Sequence, residues 1–521
     1  MLGILLGLMP LAIMFAGIIV LRWPVHKAGL LSVALTMTVS WVYSGTSPGV
    51  LAAGWLYGIL IIHKYTLANL GSFILSFYMM SNGCFDVIGE ALRNMRGGRV
   101  FKVFFLCFGI AILMLSAGAG IDWIAIVLSQ LGIGSWAIPV LIDGSCDSFS
   151  QFAYLSTPIT IPATVYGPTF GFTVTDIAAL IGQFLWVVVP LFASGMLWVL
   201  KRDGTQVTAR HAAFALVYAV FLAAVTNVFL NTVEIMGVGV LVGVVATATL
   251  FLANRLGFRS ARLSQNQQGK TQTTIEETDR QRLIRAISPI LVVSILASVV
   301  ALPWLTTVLD RYTVNLPLIA DQSIPVQLFQ PAFWVFVSIL ITFGIFRPNS
   351  QNLKQTAGLL RKRLVPFVIA SWICSGLVFT YNWSGMIIDA SNRLVLPPDR
   401  VEYNLIHVLA MAASSAGQTL YIALVPFMAV FGCMLFVHEL TSTLFFVRFH
   451  FISAKALGIL RPLTLVAGHM VSNLGIVDVR KMMRSLAIIG AYGEEWKTMR
   501  FTLVLGLMIT AAIVPVLLIL A

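Results

Sequence analysis

The chain has 521 residues, of which 59% are apolar and only 10% charged, where a soluble protein carries about a quarter charged residues. That composition excludes a water-soluble enzyme. The net charge of +13, from 33 Lys and Arg against 20 Asp and Glu, sits in short loops beside apolar segments rather than on a water-facing domain, so it reads as membrane orientation and not as a nucleic-acid surface.

The polar minority separates apolar segments of roughly 18 to 25 residues, each long enough to cross a hydrocarbon core of about 30 Å as a helix. The fold class expected is therefore an all-α polytopic membrane protein. The first span, 3–21, opens without a basic n-region or a small-residue cleavage site and reads as retained. It ends at Arg22, His26 and Lys27, and a second span covers 28–43 before a polar turn at 44–48. From 49 to 80 the chain is apolar except for His63 and Lys64, too long for one straight span and too short for two with a loop. A bent or interrupted helix is expected there, ending near Arg93, Arg96, Arg99 and Lys102, with Lys64 snorkelling to the interface.

Further spans are expected at 101–117, 177–200, 212–230, 236–254, 285–304, 327–346 and 364–381. One threading puts Lys201, Arg202, Arg210 and the stretches 255–285 and 347–363 on one side, with Asp310 and Asp321 on the other; the basic side is cytoplasmic by the positive-inside rule. The stretch 260–279 is rich in Gln and Thr without apolar periodicity and reads as a cytoplasmic linker. It divides the chain into a first membrane half (1–254), a linker (255–284) and a second half (285–521).

The halves echo one another faintly. SNGCFDVIGEAL (81–92) and NWSGMIIDASNRL (382–394) share Asn, Gly and Asp after an apolar span, on opposite sides of the threading, as an inverted repeat requires. Asp147 and Glu439 form a second echo, each followed by hydroxyls and then apolar sequence.

Four stretches interrupt the membrane pattern with small and polar residues: 116–122, 143–158, 438–443 and 467–475. Unwound backbone at membrane depth is tolerated only where it is buried in protein or lines a cavity, so broken helices or re-entrant hairpins are expected. Helix N-termini at such breaks carry unpaired N–H groups and partial positive charge, which suits a carboxylate ligand. The substrate-binding candidates are Ser116, Gly118, Gly120, Ser145, Ser148, Ser150, Ser156, Thr157, Thr441, Ser442, Thr443, Ser472 and Asn473. Helix packing is the alternative role for each hydroxyl. A carboxylate at this depth costs on the order of 3 kcal/mol, which favours functional use as a proton carrier; Glu439 beside His438, Asp147 and Asp122 are the proton-coupling candidates, with Asp143 and Asp478 as further acids. Cys84, Cys107, Cys146, Cys374 and Cys433 show no metal spacing, His407 and His469 read as packing or cavity residues, and neither a nucleotide loop nor a hydrolase motif is present. No enzyme activity, metal or cofactor is expected.

Read together, LRWPVHKAG (21–29), SFSQFAYLSTPI (148–159), FTYNWSGM (379–386), HELTSTLFF (438–446) and IIGAYGEEWKTMRFTL (488–503) resemble, in order and spacing, the lactate permease family over nearly the whole chain. The resemblance implies a bacterial plasma-membrane symporter that moves lactate, glycolate or a related 2-hydroxymonocarboxylate with a proton, with inverted repeats and paired hairpins. The family's acid in the second hairpin falls on Glu439 and its following hydroxyls on Thr441 and Ser442. Elsewhere the pattern changes: Ser116 stands for an acid, Gln151 and Ala153 for glycines, and Gly475 for a lysine, leaving Asp122, Asp147 or Asp478 to take over the lost charges.

The expectation is thus a secondary active transporter of about 12 to 14 spans, whose partners are a small organic anion, a proton and the bilayer, with homo-oligomerisation left open. A sodium-coupled carrier of a dicarboxylate or sulfonate, and a transport-inactive subunit or sensor, are the competing readings.

Overall fold

A computed structural model describes residues 1–521 except 96, 122, 258–276, 301, 330, 348, 437 and 492. Asp122 and most of the expected linker thus lie outside the described residues.

The first half runs through α1 (Leu2–Phe15), α2 (Val25–Val42), α3 (Pro48–Ile61), α4 (His63–Ser81) and the amphipathic α5 (Cys84–Asn94). It continues with α6 (Arg99–Phe104) and α7 (Ala111–Ser116), joined through a π-helical stretch, then α8 (Ile124–Gln130), α9 (Ala137–Asp147), α10 (Ala153–Phe170), α11 (Val174–Arg202), α12 (Ala209–Thr232) and α13 (Ile235–Gly257). The second half holds α14 (Glu277–Val300), α15 (Pro303–Asp310), the strands β1 (Thr313–Ile319) and β2 (Gln322–Gln327), α16 (Pro331–Phe346) and α17 (Ser350–Asn382). After β3 (Ile387–Ile388) and β4 (Leu394–Val395) come α18 (Leu405–Ser414), α19 (Gln418–Leu435), α20 (Glu439–Leu457), α21 (Pro462–Val471), α22 (Val479–Ile488) and α23 (Glu495–Leu520).

Nine helices among the described residues are long and apolar enough to cross a membrane, and α3 and α4 together make a further candidate, bent by 44° at Ile62. Four shorter apolar helices of 10–17 residues accompany them. Large apolar side chains such as Trp186, Val217, Ile295, Leu340 and Met508 face outward, which suits hydrocarbon and not water. The protein is an all-α polytopic membrane protein.

Local sequence explains the helix ends. Ser47 caps α3 by accepting from the Val50 amide, with Pro48 in the first turn; Thr173 and Asp176 form a capping box on α11. Inside the bundle, small residues bring backbones together, as membrane packing requires. A Cβ at Gly58 of α3 would meet the backbone of Ser375 and Gly376 on α17, and the Ser375 hydroxyl donates to the Gly58 carbonyl at 2.7 Å.

One end of the bundle gathers the basic loops: Arg99 donates to Thr205, Asn352 to Asn82 and Arg285 to the Ile345 carbonyl. The other end carries two small antiparallel hairpins, β1–β2 and β3–β4, tied by a 2.9 Å bond from the Leu394 amide to Asp321. The strands were not expected from sequence. Residues 313–327 alternate enough to pair Val314 with Val326 and Leu316 with Ile324, and Pro317 and Pro325 are tolerated because a two-stranded ribbon is all edge. The two Asn-Gly-Asp echoes fall at opposite ends, one near Asn82 and one in the β3–β4 turn at Asp389.

The breaks shape the interior. α9 starts at the basic end, where the Thr498 hydroxyl donates to the Trp136 carbonyl, and stops at Asp147; α10 resumes toward the strand end. In the first turn assigned to α10, Tyr154, Leu155 and Ser156 all adopt left-handed backbone (φ 51, 54 and 59) and kink the chain there. α21 enters from the strand end, unwinds over 472–478 and continues as α22 toward the basic end. α19 and α20 run antiparallel, with Tyr421 beside His450 and Phe436 beside Phe445, so they form a hairpin whose tip, around His438, lies inside the protein.

Candidate functional site

The tips and breaks converge on a cavity of about 580 Å³. Asp143 and Asp147 enter from α9, Tyr154 from the start of α10, Tyr65, Asn69 and Ser72 from α4, His438 and Glu439 from the hairpin tip, and Asp478 and Lys481 from the second break and α22. At its basic-end mouth stand His26, Lys362 and Glu495. One wall is aromatic: the Tyr65 ring lies 4.6 Å from His438 and 5.1 Å from Tyr154, and the Tyr154 hydroxyl donates to Asn69 at 2.6 Å.

The centre is charged. Lys481 Nζ forms an ion pair with Glu439 Oε1, and Asp147 accepts from the Ile476 amide of the second break. Gly475 lies where the three side chains meet: a Cβ there would stand 2.6 Å from Glu439 Oε1 and 2.8 Å from Asp147 Oδ1, and would strike Lys481 Nζ. Asp147 and Glu439, the paired acids of the sequence echo, therefore meet across a glycine. In sequence, Glu439 has no Lys or Arg nearer than Arg448. Its counter-ion arrives from 42 residues further along the chain. Lys481 stands six positions after Gly475.

Sequence reasoning did not single out Lys481, one of three basic residues in VRKMMR. The available signal was its place in the first turn of a helix that follows a break, three residues after Asp478. Gln151 was not among the site candidates either, and its Nε2 donates to the Met470 carbonyl at 2.7 Å, fastening the first break to α21.

The remaining candidates divide between lining and packing. Asp147, Ser150, His438, Glu439 and Gly120 line the cavity. Gly118, with φ 80, turns its carbonyl to the Ser72 hydroxyl. Ser145, Ser148 and Thr157 are buried and satisfy backbone carbonyls three positions back, while Ser156 reaches the Ile235 carbonyl at 2.7 Å. Thr441 bonds the His438 ring, and Thr443 accepts from Asn473, which also donates to the Glu439 carbonyl at 2.7 Å. Ser116 and Ser472 are fully buried. Lys64 donates to Gln327 of β2 at 2.8 Å. Among the described residues no group of three or more His, Cys, Asp or Glu is placed to hold a metal ion.

A buried polar chain backs the hairpin. Tyr421 bonds His450 at 2.7 Å, His450 bonds His469 at 3.1 Å, and His469 bonds Ser442 at 3.2 Å, so α19, α20 and α21 are stitched together by buried polar side chains.

A second cavity, of about 1190 Å³, opens at the strand end and shares no lining residue with the first. Arg448 of α20 reaches into it and donates to the Asn382 carbonyl at 2.7 Å. α20 thus serves both cavities, Glu439 at its start and Arg448 nine residues, or about 14 Å, along it.

No curated protein sequence matches the chain. The family model described as L-lactate permease matches residues 3–521, which is the whole membrane bundle with both breaks and both cavities. The chain belongs to the L-lactate permease family, a family of multi-pass membrane transporters.

Proposed function

We propose that this protein is a proton-coupled symporter of a small 2-hydroxymonocarboxylate, lactate or glycolate, across the plasma membrane, built from two inverted membrane halves. The observation that carries the reading is the Glu439–Lys481 pair held against Asp147 at the meeting point of the two breaks. Lys481 is the cation for a substrate carboxylate, and Glu439 competes for it. When Glu439 takes a proton, Lys481 is released to the anion, so one proton and one carboxylate load together without adding net charge. Charge balance supports coupling to a cation, of which a proton is the one this reading takes. Asp143, Asp147, Glu439 and Asp478, with Glu495 at the mouth, line the deep cavity against two lysines, Lys481 and, at the mouth, Lys362, an excess of acid that a low-dielectric site holds only with protons or cations bound.

The test is transport in proteoliposomes. Glu439→Gln mimics the protonated acid, so lactate exchange between two loaded faces persists while uptake driven by a pH gradient disappears. Pumping by Glu439→Gln with wild-type pH dependence would place coupling elsewhere. Accumulation driven by a sodium gradient and indifferent to pH would favour the sodium-coupled reading.

A further inference from the structure

We propose that the strand-end cavity is a second carboxylate site, centred on Arg448, that captures the substrate anion before it passes to the Glu439–Lys481 cavity. The inference rests on the monocarboxylate reading above for the identity of the ligand.

Charge is the first argument. The ionisable groups lining this cavity are Arg448, Lys455 and His407, together with the phenols Tyr57 and Tyr166; no Asp or Glu is among its described lining residues. The deep cavity has the opposite balance. A vestibule of one sign with low-dielectric walls raises the local concentration of the opposite ion, so this one selects anions.

Depth is the second. Arg448 lies in the middle of α20 and is largely buried, between the buried Val447 and Phe449. An arginine within a membrane-spanning segment is retained when it faces a partner or a ligand path. The Asn382 carbonyl accepts from one of the five N–H groups of the guanidinium, and the planar fork matches a carboxylate better than an ammonium would.

The third is shape. Tyr57, Phe379 and Trp383 form an apolar wall beside Arg448, with ring centroids 4.9 and 5.3 Å from Tyr57 to its two neighbours. That combination accommodates a short aliphatic acid with its carboxylate on the guanidinium. A helix tie between α17 and α20 is the alternative use of Arg448, and it needs only one donor.

Two measurements on the full-length protein separate these uses. In proteoliposomes with the strand end facing out, Arg448→Gln raises the KM for L-lactate uptake at least tenfold with the maximal rate within twofold of wild type, and Arg448→Lys recovers part of the loss. An unchanged KM overturns the proposal. The second readout keeps Arg448 intact. Ala456→Cys places a thiol in the exposed wall of the cavity, and the five native cysteines are buried. L-Lactate slows its modification by a membrane-impermeant reagent at least threefold, and does so equally when Glu439→Gln is added. A labelling rate that L-lactate leaves unchanged overturns the site, whether or not Arg448→Gln folds. Failure of the wild-type protein to take up L-lactate or glycolate overturns the transport reading instead, and is recognised by being independent of Arg448.

Discussion

Lys481 of α22 reaches back across Gly475 to the carboxylate of Glu439 at the start of α20, and this pair closes the second break onto the tip of the α19–α20 hairpin. Lys481 keeps 26% of its side chain open to the cavity and Glu439 11%. Lys481→Met leaves two buried carboxylates facing each other and is expected to cost about 3 kcal/mol, the low end for breaking a buried pair because of that residual exposure. Adding Glu439→Leu restores most of the melting temperature and none of the uptake. A double variant no more stable than Lys481→Met alone would show that the pair is not the stabilising contact.

Gly475→Ala separates function from stability. The new methyl group displaces the mobile ends of Lys481 and Glu439 rather than backbone, so the melting temperature stays near that of wild type while uptake falls at least tenfold. Wild-type uptake by this variant would mean that the three charged groups do not act together.

His450→Phe breaks the Tyr421–His450–His469–Ser442 chain at its centre. Two buried polar groups lose a partner at a cost of about 1–3 kcal/mol each. Thermal inactivation in detergent is expected at a clearly lower temperature, with substrate KM little altered because none of the four lines the deep cavity.

Acid acts on the strand end. The Leu394 amide, with the Gln322 side chain, holds the Asp321 carboxyl below the usual carboxylate range. A depressed folded value means that the interaction contributes fully above the ordinary value of about 4 and fades as pH falls through the lower one. Hydrogen exchange over β1–β2 should therefore be flat from pH 7 to 5 and rise only on stronger acidification. Asp321→Asn should raise it between pH 5 and 7, where the wild-type carboxylate is ionised, and the two should converge on strong acidification; equal protection in that variant at neutral pH would remove Asp321 from the docking.

What was legible in the sequence was what repeats or interrupts. Long apolar runs mark the spans, and small polar insertions mark the breaks at 116–122, 143–158, 438–443 and 467–475, because both signals are local. Pairing across the bundle is not local. Nothing in VRKMMR marks Lys481 out, since only the fold decides that it turns inward. Hydroxyls misled for the same reason: Ser145 and Ser148 look like ligand donors in a polar stretch, yet each finds a carbonyl three residues back in its own helix. Arg448 escaped notice because one cation in an apolar helix gives no pattern until Asn382 and His407 stand beside it.

The left-handed run at Tyr154, Leu155 and Ser156 has an energetic sequel. Each such residue costs roughly 1–2 kcal/mol relative to right-handed backbone, so the segment acts as a wound spring, held at one end by the Tyr154 bond to Asn69 on α4 and at the other by the Ser156 bond to Ile235 on α13. α4 and α13 are its keepers. A displacement of α4 that broke the Asn69 contact would let the spring relax, and the ring of Tyr154 would leave the cavity wall as it did so. Motion of α4, which itself lines the cavity through Tyr65, Asn69 and Ser72, would thereby be passed on to the wall that Tyr154 forms.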